Sequence, residues 1–266
     1  MRKIIGLLLM GIGTFSLLFP WFCEYRYQDQ ADRVIKNFER GRSRISDQLY
    51  DESYTYNRKI YEEGQKKLRD AFQYEAAPIA LASTNDVFGY LKIPKMNVRL
   101  PFYLGATQSN MKKGAAILGG TSLPIGGENT NCVIAAHRGY QGIPYFREIE
   151  RLDEGDLIIL KNPWETLRYQ VVSTKVIDPK DIDQIRIQKG KEMVTLLTCH
   201  PYRKHQYRYV VYCERTSGKK ARTKSSNDSI SSSEYDIARE KLLRNVGLVL
   251  VFGMFLIIGK KRGDKK

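Results

Sequence analysis

The chain has few residues able to ligate a transition metal, since its 266 residues include only three histidines and four cysteines. Cys199, His200, His205 and Cys213 fall within fifteen residues. Structural zinc sites usually pair their ligands roughly two to four residues apart. Here the only close pair is adjacent, and neighbours in an extended strand point to opposite faces. The sequence therefore predicts no metal site, and we expect no cofactor.

Acidic residues are also scarce, because 29 Asp and Glu face 44 Lys and Arg, for a formal net charge of +15. Such an excess suits nucleic acid, anionic lipid or an anionic polymer as a neighbour, but no nucleic-acid-binding motif accompanies it. Much of the excess lies at residues 2–3, 219–224 and 260–266. This concentration near the chain ends is typical of a membrane protein, and we expect no nucleic-acid partner.

Charged residues are absent from two apolar runs, residues 4–22 and 246–258. The first has about the length that a membrane-spanning helix needs. It lacks the small-residue cleavage site of a signal peptide, so we predict a retained anchor over residues 1–23. The second is shorter and spans only with the leucines before it, which predicts a membrane segment over 242–260. The flanking basic residues place both termini in the cytoplasm and the chain between the spans outside.

Helices are predicted between the first anchor and the next domain, over residues 24–77. Apolar side chains such as Ile35 and Phe38 recur there at steps of three or four among many charges. Gly41 and Gly64 are the predicted breaks. Two interpretations remain open: the segment packs on the following domain, or it forms a solvated stalk that lifts this domain off the membrane.

Short apolar runs separated by Gly and Pro begin at Val87. Repeated short strands with turn signals between them predict an all-β fold with a closed sheet. The predicted strands are Val87–Ile93, Ala115–Leu118, Cys132–Ala136, Leu157–Leu160, Leu167–Val172, Met193–Cys199 and Tyr207–Cys213. The predicted organisation is a membrane anchor (1–23), an extracytoplasmic helical region (24–77), a β-barrel domain (78–215), a polar linker (216–241), a membrane segment (242–260) and a basic cytoplasmic tail (261–266).

Three residues with catalytic chemistry stand at the ends of predicted strands. Cys199 ends one run, Arg208 opens the next run nine residues later, and His137 follows the run 132–136. A thiolate attacks carbonyl carbons, and a nearby imidazolium or guanidinium stabilises it. An imidazole protonates the leaving amine, and an Arg donor aimed at the tetrahedral oxyanion contributes about 3 kcal/mol. Taken singly, each residue has a structural alternative: a buried thiol, a core histidine or a solvated charge.

The surroundings of these three residues resemble a known family. The run TLLTCHPY at residues 195–202, followed by Arg208, resembles the TLxTC-xPY-x5-R block of sortases. Residues 136–139 resemble their GHRG segment. The N-terminal helical region and the second predicted anchor are similar to class C, the pilus-specific sortases. The resemblance extends over roughly residues 86–215 and implies a closed sortase-type β-barrel with short helices.

The resemblance also implies a reaction. Sortases of this kind cleave a sorting signal such as LPxTG after Thr, hold the substrate as a thioester, and pass it to an amine, which in class C is a pilin lysine. Cys199 becomes the nucleophile, His137 the acid and base, and Arg208 the donor to the substrate carbonyl. The implied partners are pilins or surface proteins with such a signal, at the membrane of a Gram-positive bacterium. Substrate contacts are expected from three neighbours, Ala136, Leu197 and Thr198.

Two other functions remain open at this stage. A sortase that anchors surface proteins would pass the thioester to an amine of a peptidoglycan precursor. A non-catalytic adhesin or pilus-assembly scaffold would need only the anchors and the basic surface. The second predicted membrane segment favours the pilin enzyme, and a scaffold gives no reason for Cys199, His137 and Arg208 together.

The chain departs from the class C pattern at the lid, the segment that covers the cysteine in many members. The lid carries an Asp-Pro-aromatic motif, but the only Asp-Pro pair here is Asp178-Pro179, inside the barrel region, and none precedes Val87. We therefore expect an open site without lid regulation. His200 stands where Thr is common and His205 where many members have Asn, so we expect a shifted substrate preference.

The cysteines allow one disulfide at most. Cys23 lies at the predicted membrane edge and Cys199 must be free to react, which leaves Cys132 and Cys213. An extracytoplasmic location permits a bridge between them. Both lie in predicted strands, so we expect buried thiols, with the disulfide as the alternative.

Overall fold

The computed structural model describes residues 2–41, 47–72, 87–141, 143–217, 236–243 and 245–247. Residues 236–243 are helical. Most of the predicted polar linker (216–241) and of the predicted C-terminal membrane segment (242–260), together with the whole basic tail (261–266), lie outside the described residues.

Eight strands form the centre of the molecule. They are β1 (Val87–Ile93), β2 (Val98–Leu104), β3 (Ala115–Ile117), β4 (Thr130–Ala135), β5 (Leu157–Lys161), β6 (Thr166–Ile177), β7 (Glu192–His200) and β8 (Tyr207–Arg215). They close into a barrel in the order β1-β2-β3-β4-β7-β8-β6-β5. The pairs β2–β3 and β4–β7 are parallel, and the other neighbours are antiparallel. The predicted all-β barrel is confirmed, and α3 (Gln108–Lys113) adds a short helix between β2 and β3.

The strand β2 is missing from the predicted strands because Pro101 interrupts its apolar run. A proline cannot donate a ladder hydrogen bond and therefore argues against a strand. In the barrel, Pro101 lies opposite Tyr90 of β1, while pairing with β3 begins only at Phe102. The missing donor thus falls beside the start of the ladder with β3, where the barrel tolerates it.

The strands β4, β7 and β8 bury both of their faces. Leu196 and Val211 belong to the cluster that fills the barrel interior, whereas Leu197 and Val210 belong to a second cluster on the outer face. Because side chains alternate along a strand, Cys199 and Arg208 project to the outer face, as does the continuation of β4. The barrel interior is therefore a packed core, and the predicted site lies outside it.

The buried cysteines of the barrel are not bridged. Cys132 and Cys213 are both free thiols, and both lie in the interior cluster. Burial raises the pKa of each thiol far above its ordinary value. They are small apolar side chains of the core, as the prediction of buried thiols stated.

Two helices precede the barrel, α1 (Arg2–Gly41) and α2 (Asp47–Glu62). Tyr27, Ala31, Ile35 and Phe38 recur at steps of three or four along α1, and all four are buried. The helix contacts β1 and β2, so it packs on the barrel instead of standing away from it as a stalk. Within the part of the chain that the structure describes, no helix combines the length and the hydropathy needed to span a membrane.

Residues 63–72, here called the strap, follow α2 and cross the outer face of the barrel. The amide of Gln65 donates to the carbonyl of Gly120 at 3.0 Å and accepts from the N–H of Ile187 at 2.7 Å. Gly120 has a φ of +81°, and a Cβ there would lie only 3.0 Å from the backbone nitrogen of the buried Leu68. This close approach and these hydrogen bonds hold the strap against the outer cluster.

Candidate active site

Cys199 and Arg208 are direct partners in the antiparallel ladder between β7 and β8. Opposed residues of antiparallel strands have Cα atoms about 5 Å apart, so both side chains leave the outer face at the same point. Cys199 is 5% exposed and Arg208 is 6% exposed. The nine-residue spacing in the sequence is the strand end, turn and strand start that bring thiol and guanidinium together.

His137 arrives at the same place from the end of β4. β4 runs parallel to β7 with Ala135 in register with Leu197, and the N–H of Ala136 donates to the Leu197 carbonyl at 3.2 Å. Two further residues along both strands bring His137 beside Cys199 on the outer face. The fold thus brings the three predicted catalytic residues together from three adjacent strands.

The three predicted substrate contacts are buried behind this trio. Thr198 Oγ1 donates to the carbonyl of Ala136 at 2.7 Å. Ala136 belongs to the interior cluster, and Leu197 belongs to the outer cluster beneath the strap. These residues join β4 to β7, and their contact with a substrate stays a prediction.

The strap places a carboxylate on the guanidinium of Arg208. Asp70 accepts from Nε at 2.7 Å and from Nη2 at 2.8 Å, and its Oδ2 also accepts from the N–H of Phe72 at 3.0 Å. Nη1 of Arg208 donates to the carbonyls of His205 and Tyr207. A buried two-pronged ion pair of this kind fixes the orientation of the guanidinium. All three nitrogens of Arg208 are therefore engaged by the chain itself.

Phe72 covers the space between the cation and the imidazole. Its ring centroid lies 5.1 Å from Cζ of Arg208 and 6.2 Å from the ring centroid of His137. The first distance is within the range of a cation–π contact. Acid and aromatic ring together form a lid over the site.

The prediction of an open site without a lid is therefore wrong. Asp70-Ala71-Phe72 matches the Asp-Pro-aromatic motif except that Ala71 stands at the proline position. Only the acid and the aromatic residue contact the site, whereas Ala71 packs into the outer cluster, where a small apolar side chain suffices. A pattern that asks only for Asp followed two residues later by an aromatic residue finds this segment.

Burial controls the ionisation of the Cys199 thiol. It raises the pKa of Cys199 to about 11; the cation of Arg208 opposes the rise and the anion of Asp70 adds to it. The thiol is therefore protonated at neutral pH while the strap is in place. A thiolate requires either loss of this burial or transfer of the proton to a base during the reaction.

His137 is held among aromatic rings. It stacks on Tyr140 with 4.8 Å between centroids, and Tyr145 contacts it edge-on at 6.0 Å. Burial lowers the pKa of His137, and the charges of His205 and Lys112 act in the same direction. Its Nε2 is buried and has no hydrogen-bond partner among the described residues. The imidazole is thus neutral at neutral pH, and Nε2 is available to exchange a proton.

A buried ionic network, which the sequence did not predict, lies behind the trio. The fully buried guanidinium of Arg138 pairs with Glu150, and its Nη1 donates to Nδ1 of His200 at 2.8 Å. Glu150 also lies 3.0 Å from Nδ1 of His200. Since Arg138 follows His137 and His200 follows Cys199, the network ties together the two strand ends that carry imidazole and thiol. Glu150 gave no sequence signal because only folding brings it here.

Comparison with known proteins agrees with this geometry. The sortase domain model matches residues 91–216. Sortase D of Bacillus subtilis (strain 168) is 31% identical over 137 residues, which cover 50% of this chain and 66% of that protein. The X-ray structure of sortase C from Clostridium perfringens SM101 is similar with a TM-score of 0.58 at 33% identity, covering 70% of this chain and 99% of that one.

A second solved structure, sortase C1 of GBS pilus island 1, is similar with a TM-score of 0.66 at 28% identity. The match covers 71% of this chain and 100% of that chain. Barrel, site and relatives lead to one assignment. The chain belongs to the sortase family and is a sortase transpeptidase, with class C pilus sortases as its structural neighbours.

Proposed function

We propose that this sortase is a membrane-anchored enzyme that joins pilin subunits. It cleaves an LPxTG-like sorting signal through a thioester on Cys199 and transfers the acyl group to a pilin lysine. The observation that carries the proposal is the meeting of Cys199, His137 and Arg208 from three adjacent strands under a lid. The pilus-related sortases among its structural neighbours support a pilin as the substrate.

The strap must move before the substrate binds. The carboxylate of Asp70 occupies the fork of Arg208, and a tetrahedral oxyanion would need the same donors. Asp70 therefore stands in for the oxyanion while the enzyme rests. Exchange of Asp70 for the substrate carbonyl also removes one anion that raises the pKa of Cys199.

The first half-reaction forms the thioester. Sγ of Cys199 bonds to the carbonyl carbon of the Thr in the signal, and its proton passes to Nε2 of His137. The N–H donors of Arg208 stabilise the oxyanion, a contribution of about 3 kcal/mol for one such donor. When the Thr–Gly bond breaks, His137 returns the proton to the leaving amine.

The second half-reaction reverses these roles. The acceptor amine bonds to the thioester carbon and gives its proton to His137. The C–S bond then breaks, and the thiolate of Cys199 takes the proton back. The enzyme is regenerated, and the net change is exchange of one amide bond for another.

The location follows from the predicted anchors. We place both termini in the cytoplasm and the barrel outside the membrane of a Gram-positive bacterium. The charge-free run at residues 4–22 and the basic residues near both chain ends support this topology. Protease digestion of intact cells and of inverted vesicles tests it, since only the former exposes an outside barrel.

Mass spectrometry of the full chain in detergent micelles tests the chemistry. After incubation with an LPxTG-type peptide and an acid quench, the protein should gain the mass of the acyl fragment. Cys199→Ala should show no adduct, whereas Cys23→Ala should keep it, because Cys23 lies in α1 and not on the strands that carry the site. Absence of an adduct both in the wild type and in a variant with the strap released, Asp70→Asn, would contradict the proposal.

The amine that accepts the acyl group distinguishes a pilin-polymerising sortase from one that anchors surface proteins to peptidoglycan. The thioester enzyme is offered a pilin domain with a lysine and a peptidoglycan precursor with a free amine. A covalent pilin product supports polymerisation, and a product with the precursor alone would reassign the enzyme to protein anchoring.

A further inference from the structure

A polar cavity of about 230 Å³ borders the site on a side that the strap does not cover. Its walls come from residues 138–141 and 143 after β4, from the turn between β7 and β8, and from Glu240 of the helical residues 236–243. Tyr140 lines the cavity and stacks on His137. His205 also lines it and shifts the pKa of that imidazole downward. The cavity is therefore next to the proposed acid and base.

Arg147 is the unusual group in this cavity. It is only 7% exposed, and its Nε has no hydrogen-bond partner among the residues that the structure describes. The nearest carboxylate, Glu148, is 3.9 Å away and is already bound by Arg151 at 2.6 Å and by Lys241. A buried donor without a partner is costly, so Nε of Arg147 remains free to donate to an anion in the cavity.

The cavity already holds one carboxylate. Glu240 of the helical residues 236–243 accepts from Tyr202 Oη at 2.9 Å and from Arg203 Nη2 at 2.8 Å. These contacts show the kind of ligand that the walls recognise. They satisfy Arg203, whereas Nε of Arg147 has no hydrogen-bond partner among the described residues.

A glycine keeps the space beside Arg147 open. Gly139 has a φ of +84°, and a Cβ there would lie 3.3 Å from the Tyr202 ring and 3.6 Å from Cδ of Arg147. Any side chain would therefore narrow the cavity between its aromatic wall, Tyr202, and Arg147. The backbone strain that a larger residue would suffer adds to this exclusion.

We propose that this cavity is a carboxylate subsite for the acyl acceptor, in which Arg147 binds a carboxylate near the reacting amine. The inference rests on the proposed function and deepens it. The cavity adjoins His137, which must take the proton of the incoming amine, so a carboxylate held by Arg147 orients that amine toward the thioester. The excess of positive charge also disfavours binding of the ammonium in the cavity itself.

Two sources carry this chemistry. An acidic residue beside the acceptor lysine of a pilin is one, and the carboxylate of an amino acid in a peptidoglycan stem peptide is the other. Both would present an anion close to a primary amine. The acceptors in the experiment distinguish them.

The test offers the thioester of the full chain, in detergent micelles, two acceptors that differ in one group. Nα-acetyl-lysine carries a carboxylate, and Nα-acetyl-lysinamide carries a neutral amide on the same scaffold. We expect at least a tenfold larger kcat/KM for the carboxylate. Arg147→Met should reduce the ratio to near one, Arg147→Lys should restore part of it, and the matched control Arg168→Met, an exposed residue of β6, should leave it unchanged.

The source of the carboxylate is read with a second pair of acceptors, a diaminopimelate derivative with its carboxylate beside the amine and the corresponding amide. A larger carboxylate preference in this pair indicates a stem peptide, and a larger preference in the lysine pair indicates an acceptor protein. Either result supports the subsite. Equal rates for acid and amide in both pairs overturn it.

A binding measurement separates failure of the inference from failure of the proposed function. Isothermal titration of the full-length Cys199→Ala protein with the same pairs needs no thioester. Tighter binding of the acids that Arg147→Met removes supports the subsite even if no thioester ever forms. Equal binding of acid and amide by this folded protein overturns the subsite while leaving the thioester chemistry intact.

Discussion

The two sides of His137 differ in how the chain pairs its buried cations. Arg208 on the strap side and Arg147 on the cavity side are almost equally buried, at 6% and 7% exposure. Asp70 binds Arg208 with two hydrogen bonds, whereas Nε of Arg147 has no partner in the described part of the chain. Equal burial thus accompanies a two-pronged ion pair at Arg208 and a single long one, 3.9 Å to Glu148, at Arg147.

This difference suggests that the strap side serves the first half-reaction and the cavity side serves the second. The chain fills the proposed oxyanion position with the carboxylate of Asp70. The strap side, where the sorting signal would bind, is therefore closed until the strap moves. The chain leaves the proposed acceptor position for a carboxylate from outside. A resting sortase arranged in this way limits attack on the wrong peptide while keeping its acceptor side formed.

The largest expected effect that tests the closed side is the pH dependence of thiol alkylation. With the pKa of Cys199 at about 11, the iodoacetamide rate should rise about tenfold per pH unit, or about a thousandfold from pH 7 to 10. The folded pKa lies above its ordinary value, so the protonated thiol favours the fold. That contribution is complete below about pH 8.5 and is lost as pH rises through the folded pKa.

Mass spectrometry locates the label, and Cys199→Ala serves as its blank. A rate that levels off near about pH 8.5, the ordinary thiol value, would indicate an unperturbed thiol. The strap side would then be open in solution, and the difference between the strap side and the cavity side would disappear.

A smaller effect is expected from Arg208→Lys, which keeps the charge and removes the planar fork. Thioester formation should slow about a hundredfold, since a point charge cannot replace the paired donors at an oxyanion. Arg215→Lys, at the far end of the same strand, is the matched control and should change the rate less than about twofold. The measurement is single-turnover adduct formation by mass, and a loss below about threefold for Arg208→Lys would remove this residue from the oxyanion site.

The smallest effect is expected from Asp70→Asn, which removes the carboxylate charge of the strap without changing the shape of the side chain. Weakening the hold on Arg208 should speed thioester formation about tenfold and lower the pKa of Cys199. Removing one partner of a buried ion pair should also lower the free energy of unfolding by roughly 3 kcal/mol. Asp32→Asn, which breaks an exposed pair with Arg99, should change neither quantity appreciably.

The ratio of kcat/KM for the carboxylate acceptor to that for the amide acceptor gives a further test of Asp70→Asn. Asp70→Asn should leave the preference for a carboxylate acceptor unchanged, because Asp70 lies on the other side of the imidazole. If Asp70→Asn changed the rates of both half-reactions, the strap and the cavity would act as one unit. The assignment of one side to each half-reaction would then be wrong.

Local patterns explain why the trio and the barrel were predicted. Cys199, Arg208 and His137 each stand at the end of an apolar run, and strand alternation depends only on near neighbours in the sequence. The motif around them supplied the order of the elements. The one strand that the pattern missed contains Pro101, where the local rule and the barrel disagree.

The partners of these residues escaped prediction for the opposite reason. Asp70 and Arg208 are 138 residues apart in sequence, and neither local periodicity nor spacing joins them. Requiring proline in the lid motif hid the strap, although acid and aromatic ring are the groups that make contact. Glu150 and Arg147 are ordinary charged residues in sequence, and only burial makes them notable.

Local sequence patterns are enough to assign the strand-forming segments, the chemistry of Cys199, His137 and Arg208, and the placement of each at a strand end. Alternation and turn preferences are properties of short stretches of chain, which any reader of the sequence can apply. Folding alone brings the strap over Arg208 and leaves Nε of Arg147 without a hydrogen-bond partner among the described residues. Both facts depend on which distant segments share one buried volume, because desolvation is set by the whole surroundings of a charge and not by its neighbours in sequence.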